Sequence, residues 1–128
     1  MRLLLDTQIL LWALSDAPRL SAAARAMIDD RTNTLLFSSI SVAEVAIKSA
    51  LGKPDFLFDP YIVRDHLIDD GYLELAFVSN HALALSRLPT IHKDPFDRML
   101  IAQAIGEGVR LLSADGEVAR YGAVVLPV

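Results

Sequence analysis

The chain has 128 residues, 53% of them hydrophobic, and its 16 acidic and 12 basic side chains leave a formal charge of −4. That length fits a single domain over residues 1–128, and that apolar content excludes a disordered chain. The absence of cysteine excludes a disulfide framework, a thiolate zinc site and a cysteine nucleophile.

Arg2 to Leu5 is a short apolar run ending in Asp6, the pattern of a buried parallel strand. Asp6 also interrupts the leader-like opening of Met1 to Leu5, and no small-residue cleavage site follows. No stretch reaches membrane-spanning length, so a soluble protein is expected, and the lack of cysteine points to a reducing, cytoplasmic setting. Thr7 to Leu14 predicts a helix apolar almost all round, placed in the core or in an interface between copies. Ser21 predicts the cap of a second helix reaching Asp29.

Thr34 to Phe37 predicts the second strand. Ser41-Val42-Ala43-Glu44 predicts a capping box, with Ser41 at the N-cap and Glu44 at N3, and a helix stopping near Gly52-Lys53-Pro54. Asp59-Pro60 opens a further helix to Gly71. Leu73 to Val78 predicts a third strand, and Ser79 the cap of a short helix before Pro89. Asp94-Pro95-Phe96-Asp97 repeats the start signal for a helix ending at Gly106 to Gly108. Arg110 to Leu112 predicts a fourth strand, followed by a turn at Asp115-Gly116, and Val124 to Leu126 a fifth. Strands alternating with helices imply an α/β fold with a mainly parallel five-stranded central sheet flanked by helices.

Ligands of an open parallel sheet bind beyond the carboxyl ends of the strands. Asp6 ends the first strand, Glu44 lies in the helix after the second, and Asp115 follows the fourth. Asp97 starts a helix with no strand immediately before it. Gathered acids repel one another unless a cation neutralises them, and an all-oxygen donor set suits Mg²⁺ or Mn²⁺. Such a site would bind a phosphodiester, and its cation would supply the positive charge that the acidic surface lacks.

Each acid also has a structural reading. Glu44 closes a capping box, Asp97 favours the helix dipole, and Asp115 suits a turn. Asp6 is hardest to explain structurally, because an acid ending a buried apolar strand is costly without a partner. Thr7 and Ser113 are candidates to orient a carboxylate. Asp94 is a possible extra ligand already explained as an N-cap. Lys48, His92, Lys93 and Arg98 are candidate phosphate contacts. His66 and His81 read as surface residues, and Trp12 as core or interface.

Four segments together resemble the PIN-domain family, in particular the VapC-like toxin ribonucleases of type II toxin–antitoxin systems. They are Leu4-Leu5-Asp6-Thr7-Gln8-Ile9-Leu10-Leu11-Trp12, Ser41-Val42-Ala43-Glu44, His92-Lys93-Asp94-Pro95-Phe96-Asp97-Arg98-Met99-Leu100-Ile101-Ala102-Gln103-Ala104 and Leu111-Leu112-Ser113-Ala114-Asp115. They occur in family order across nearly the whole chain, and the third is the most specific. The resemblance implies a three-layer PIN-like fold and a Mg²⁺-dependent endoribonuclease, with Mn²⁺ a possible substitute. It implies Asp6 and Asp97 as metal ligands, with Glu44 and Asp115 completing the acidic catalytic site. Ser113 keeps the hydroxyl that the family often places there as Thr. The implied partners are RNA, a cognate antitoxin protein and a second copy of the chain, with no membrane. Selectivity would lie in loops such as Lys53 to Asp59.

Three rivals remain. A Mg²⁺-binding receiver-like signalling domain would pair acids after its first strand and carry a late lysine, whereas Asp6 stands alone and no lysine follows Lys93. A dehalogenase-like phosphatase would place a second acid where Gln8 stands. A non-catalytic PIN module acting through protein contacts is the third.

Overall fold

Leu3, Leu4 and Leu5 have no solvent exposure, and their alternation sets the layers of the protein. In the computed structural model, which describes residues 1–128, they form β1 (Arg2–Leu5). Leu3 and Leu5 point into one core with Phe37 and Leu112, while Leu4 points into another with Leu36, Leu111 and Val125. A strand buried on both faces cannot alternate polar and apolar residues, which is why it reads as a continuous leucine run.

The other strands are β2 (Thr34–Ser38), β3 (Leu73–Leu75), β4 (Arg110–Ser113) and β5 (Val125–Pro127). The sheet order is β3-β2-β1-β4-β5, and every adjacent pair is parallel. The expected mainly parallel sheet is therefore wholly parallel. A receiver-type domain orders its strands 2-1-3-4-5, so this topology removes that rival.

The helices are α1 (Thr7–Leu14), α2 (Ala22–Asp29), α3 (Ser39–Ala50), α4 (Pro60–Asp69), α5 (Ser79–Ala84), α6 (Pro95–Glu107) and α7 (Gly116–Ala119), with a 3₁₀ turn at Leu85–Arg87. Ile9, Leu10 and Leu11 of α1, Ala24 of α2, Val45 of α3, and Val63 and Leu67 of α4 fill the first core. Leu100, Ile101 and Ala104 of α6 and Val118 of α7 fill the second. The apolar α1 thus belongs to the core, where the half-buried Trp12, Ala13 and Leu14 also pack on the first cluster. No helix is long and apolar enough to cross a membrane.

Three local expectations are corrected. α3 starts three residues earlier than its sequence motif suggests: β2 runs on to Ser38, paired with Leu75, and the Ser38 hydroxyl accepts from Ile40 N–H at 3.0 Å. Ser41 lies inside the helix, so it is not the N-cap, and Glu44 closes no capping box with it. The third strand stops at Leu75 instead of Val78, and Val78, not Ser79, is the N-cap of α5. His81 is buried at 3% exposure, whereas His66 is exposed as expected. By contrast, α6 opens as read, with the Asp94 carboxylate accepting from Asp97 N–H at 3.0 Å and Pro95 at N1. It closes on Gly108 at φ 66°, a left-handed conformation that favours glycine.

Candidate active site

The sheet reverses its strand order between β1 and β4, and a crevice opens there at the carboxyl ends. Asp6 is the first residue past β1. Its N–H donates to Leu112 O at 3.1 Å, continuing the β1–β4 pairing. Its carboxylate accepts from Ile9 N–H at 2.9 Å and so caps α1. One acid thus ends a strand, starts a helix and faces the crevice.

Asp6, Glu44, Asp94, Asp97 and Asp115 line one cavity of about 310 Å³, together with Thr7, Gln8, Leu11, Trp12, Lys48, Phe56 and Ala114. All four sequence-predicted site residues therefore meet, brought in from four elements. Asp97 arrives because α6 packs with its first turn at the mouth of the crevice, although no strand immediately precedes it.

Each carboxylate is held by a neighbour. Glu44, 6% exposed, pairs with Lys48 one turn later at 2.6 Å. Asp97 faces His92 Nε2 at 3.2 Å. Asp115 caps α7 by accepting from Glu117 N–H at 2.8 Å. The fully buried Ser113 hydroxyl accepts from Asp115 N–H at 3.1 Å, leaving its own hydrogen for Asp6. Thr7 donates to the buried Ser41 hydroxyl at 2.9 Å.

Burial pushes the Asp6 carboxyl up to about 6, and the negative charges of Asp97 and Asp115 add to the rise. Hydrogen bonds from Ser113 and Ile9 oppose it. Burial likewise raises Asp97, with Asp94 and Asp115 contributing and His92 opposing. An ionised cluster here carries charge that its protein neighbours only partly offset. As the side chains stand, no three acids or histidines converge tightly enough to enclose one ion. The donor chemistry nonetheless fits a hard divalent cation: all-oxygen and multiply anionic, with Asp6 and Glu44 buried, Asp97 half-buried and Asp115 open to solvent.

The other sequence candidates separate. Lys48 and Asp94 line the cavity. His92 and Arg98 instead form a hydrogen-bonded cluster with Tyr121 behind Asp97. Lys93 is exposed. Trp12 packs on the core while also forming a cavity wall, and Phe56 brings the 53–59 loop into that wall. Tyr121 carried no sequence signal, because His92 and Arg98 lie far away along the chain, and Phe56 falls in the 53–59 loop named for selectivity without being singled out there.

A PIN domain family model matches residues 3–124. No curated relative matches the sequence. Among solved structures, the chain resembles VapBC2 from Rickettsia felis bound to a promoter DNA fragment, with 18% identity and a TM-score of 0.73 over 99% of this chain and 98% of that one. It also resembles VapBC-1 from nontypeable Haemophilus influenzae, with 18% identity and a TM-score of 0.64 over 94% and 92% of the two chains. A toxin–antitoxin complex from Klebsiella pneumoniae is similar at 17% identity and a TM-score of 0.65 over 96% and 94%. The shared fold agrees with the family match, and the chain belongs to the PIN domain family.

Proposed function

We propose that this chain is a divalent-cation-dependent endoribonuclease, the toxin half of a type II toxin–antitoxin pair. The observation that carries this reading is the meeting of Asp6, Glu44, Asp97 and Asp115 in one cavity at the switch point of the sheet. Family membership and the toxin–antitoxin complex among the structural neighbours support it.

Asp6 and Asp97 would hold Mg²⁺ or Mn²⁺, with Glu44 and Asp115 completing the acidic set. When bound, the cation supplies Lewis-acid stabilisation of the phosphate and activation of the attacking water. The chain's own residues do the rest. Asp6 is held at the crevice by its cap to α1, so that its carboxylate is positioned in advance. Lys48 restrains Glu44 and adds positive charge at the wall where an RNA backbone would enter. Trp12 and Phe56 supply apolar wall to the cavity. The proposed partners are RNA as substrate, a cognate antitoxin protein, and a second copy of the chain, in a cytoplasmic setting.

The test is cleavage of a mixed RNA pool by purified protein with Mg²⁺ or Mn²⁺ and with EDTA, using wild type, Asp6→Asn and Asp97→Asn. Metal-dependent cutting that both variants lose supports the proposal. A wild type that neither cuts RNA nor binds a divalent cation overturns it in favour of a non-catalytic PIN module.

A further inference from the structure

Behind Asp97 lies a chain of polar contacts that the acidic cluster does not itself require. The Arg98 guanidinium donates through Nη1 to Tyr121 Oη at 2.8 Å and to Pro89 O at 2.8 Å. Tyr121 Oη lies 2.9 Å from His92 Nδ1, and His92 Nε2 lies 3.2 Å from Asp97 Oδ2. The imidazole and phenol rings also pack edge to face, with centroids 5.3 Å apart. These groups come from three separate stretches of chain: the 88–94 loop, the start of α6 and the segment after α7.

The directions of the bonds follow from elementary chemistry. A guanidinium has donors only, so Tyr121 Oη must accept from Arg98. The phenol's single hydrogen is then free to point at His92 Nδ1. With Nδ1 accepting, the ring hydrogen sits on Nε2, where it faces the acceptor-only Asp97 carboxylate. Every donor meets an acceptor in this one arrangement of the neutral ring. The opposite tautomer would set a bare Nε2 against Asp97 Oδ2.

We propose that His92 is a positioning residue for Asp97. Locked by Tyr121 and Arg98 in the Nε2–H tautomer, it holds Oδ2 and so leaves Oδ1 to serve the cavity. This inference rests on the cation-binding reading of the site. Groups that orient a ligating carboxylate typically change metal affinity by about 10–100-fold when removed.

Two measurements test it on the full chain. The first is the ¹⁵N–¹H spectrum of the three histidine rings at about pH 8, where an ordinary imidazole is neutral. His92 is expected as the Nε2–H tautomer in wild type and as a mixture in Tyr121→Phe, which keeps the ring and removes only the hydroxyl. The second is direct Mn²⁺ binding. His92→Ala is expected to weaken it by about tenfold or more, and His92→Gln, which keeps an N–H at the same reach, to restore most of it. A thermal melt of each variant separates this from loss of fold: a melting point that falls while Mn²⁺ affinity holds assigns His92 a structural role only and overturns the proposal. An Nδ1–H tautomer in wild type also overturns it. A wild type that binds no Mn²⁺ instead removes the underlying reading of the site, and the positioning role with it.

Discussion

The hydroxyl of Thr7 donates to the hydroxyl of Ser41 at 2.9 Å, joining the first turn of α1 to the first turn of α3. Asp6 precedes one partner by a residue, and Glu44 follows the other by three. This buried bond therefore sets two acids of the cavity relative to each other through their helices. Ser41→Ala would leave the Thr7 hydroxyl unpaired and is expected to cost about 1 kcal/mol, as is Thr7→Val. Because both lose the same bond, the double variant should cost clearly less than the sum of the two in urea unfolding. Full additivity would show that the hydroxyls act independently. Ser38→Ala, which removes the actual N-cap of α3, should cost about 1 kcal/mol.

What was legible in the sequence is what neighbouring residues decide among themselves. The leucine run of β1, the Asp94-Pro95 start of α6 and the Gly108 stop are all local signals, and each is where it was read. So are Asp6, Glu44 and Asp115, which follow three parallel strands whose ends share one edge by geometry, whereas Asp97 joins them only through the packing of α6. The start of α3 was misread because Ser38 and Ser41 are equally good caps locally. The tie is broken by Leu75, whose pairing with Ser38 prolongs β2. His81 was misread for a similar reason: its partner Glu107 is 26 positions away. The contribution of Tyr121 to the surroundings of Asp97 depends on a contact 29 positions apart.

The buried Asp6 makes stability depend on pH in a definite direction. Its carboxyl is raised from 3.8 to about 6, so between these values the folded chain holds a proton that the unfolded chain has lost. The contribution of this group is therefore fully present below about pH 4 and is lost as pH rises through about 6. The penalty for ionised Asp6 is on the order of 3 kcal/mol. Asp6→Asn keeps the cap of α1, since asparagine caps as well as aspartate. It is expected to raise the melting temperature by several degrees at about pH 7.5 and to lose most of that advantage by about pH 4.5. An equal shift at both values would contradict the assignment.

A divalent cation should reverse the same penalty. Mn²⁺ at about a hundred times its dissociation constant would stabilise wild type by about 2.7 kcal/mol if it binds only the folded chain. The melting temperature should rise accordingly near neutral pH, and much less below about pH 5, where protons occupy Asp6. Asp97→Asn should blunt the rise. A rise that Asp6→Asn and Asp97→Asn both retain would place the cation elsewhere.

His81 and Gly106 make a steric prediction outside the cavity. A Cβ at position 106 would stand 3.1 Å from His81 Cδ2. The ring cannot easily withdraw, because Nδ1 accepts from Val78 N–H at 3.0 Å and Nε2 donates to Glu107 at 2.8 Å. Gly106→Ala should thus forfeit the roughly 1 kcal/mol that alanine normally adds within a helix, and destabilise the wild-type background. In a His81→Ala background the same change should stabilise. The same sign in both backgrounds would mean that the ring moves aside.

Because all five strands run the same way, the two terminal residues sit on opposite rims of the sheet. Met1 precedes β1 at the amino edge. Val128 follows β5 at the carboxyl edge, its N–H donating to Ser113 O at 3.0 Å. Two strand spacings, about 10 Å, separate β5 from β1 and Asp6. Anything attached beyond Val128 therefore emerges beside the acids, while an attachment before Met1 leaves from the far rim. For immobilisation or labelling, the amino end is the handle that leaves the crevice open, and the carboxyl end is the place for a probe meant to sense what enters it.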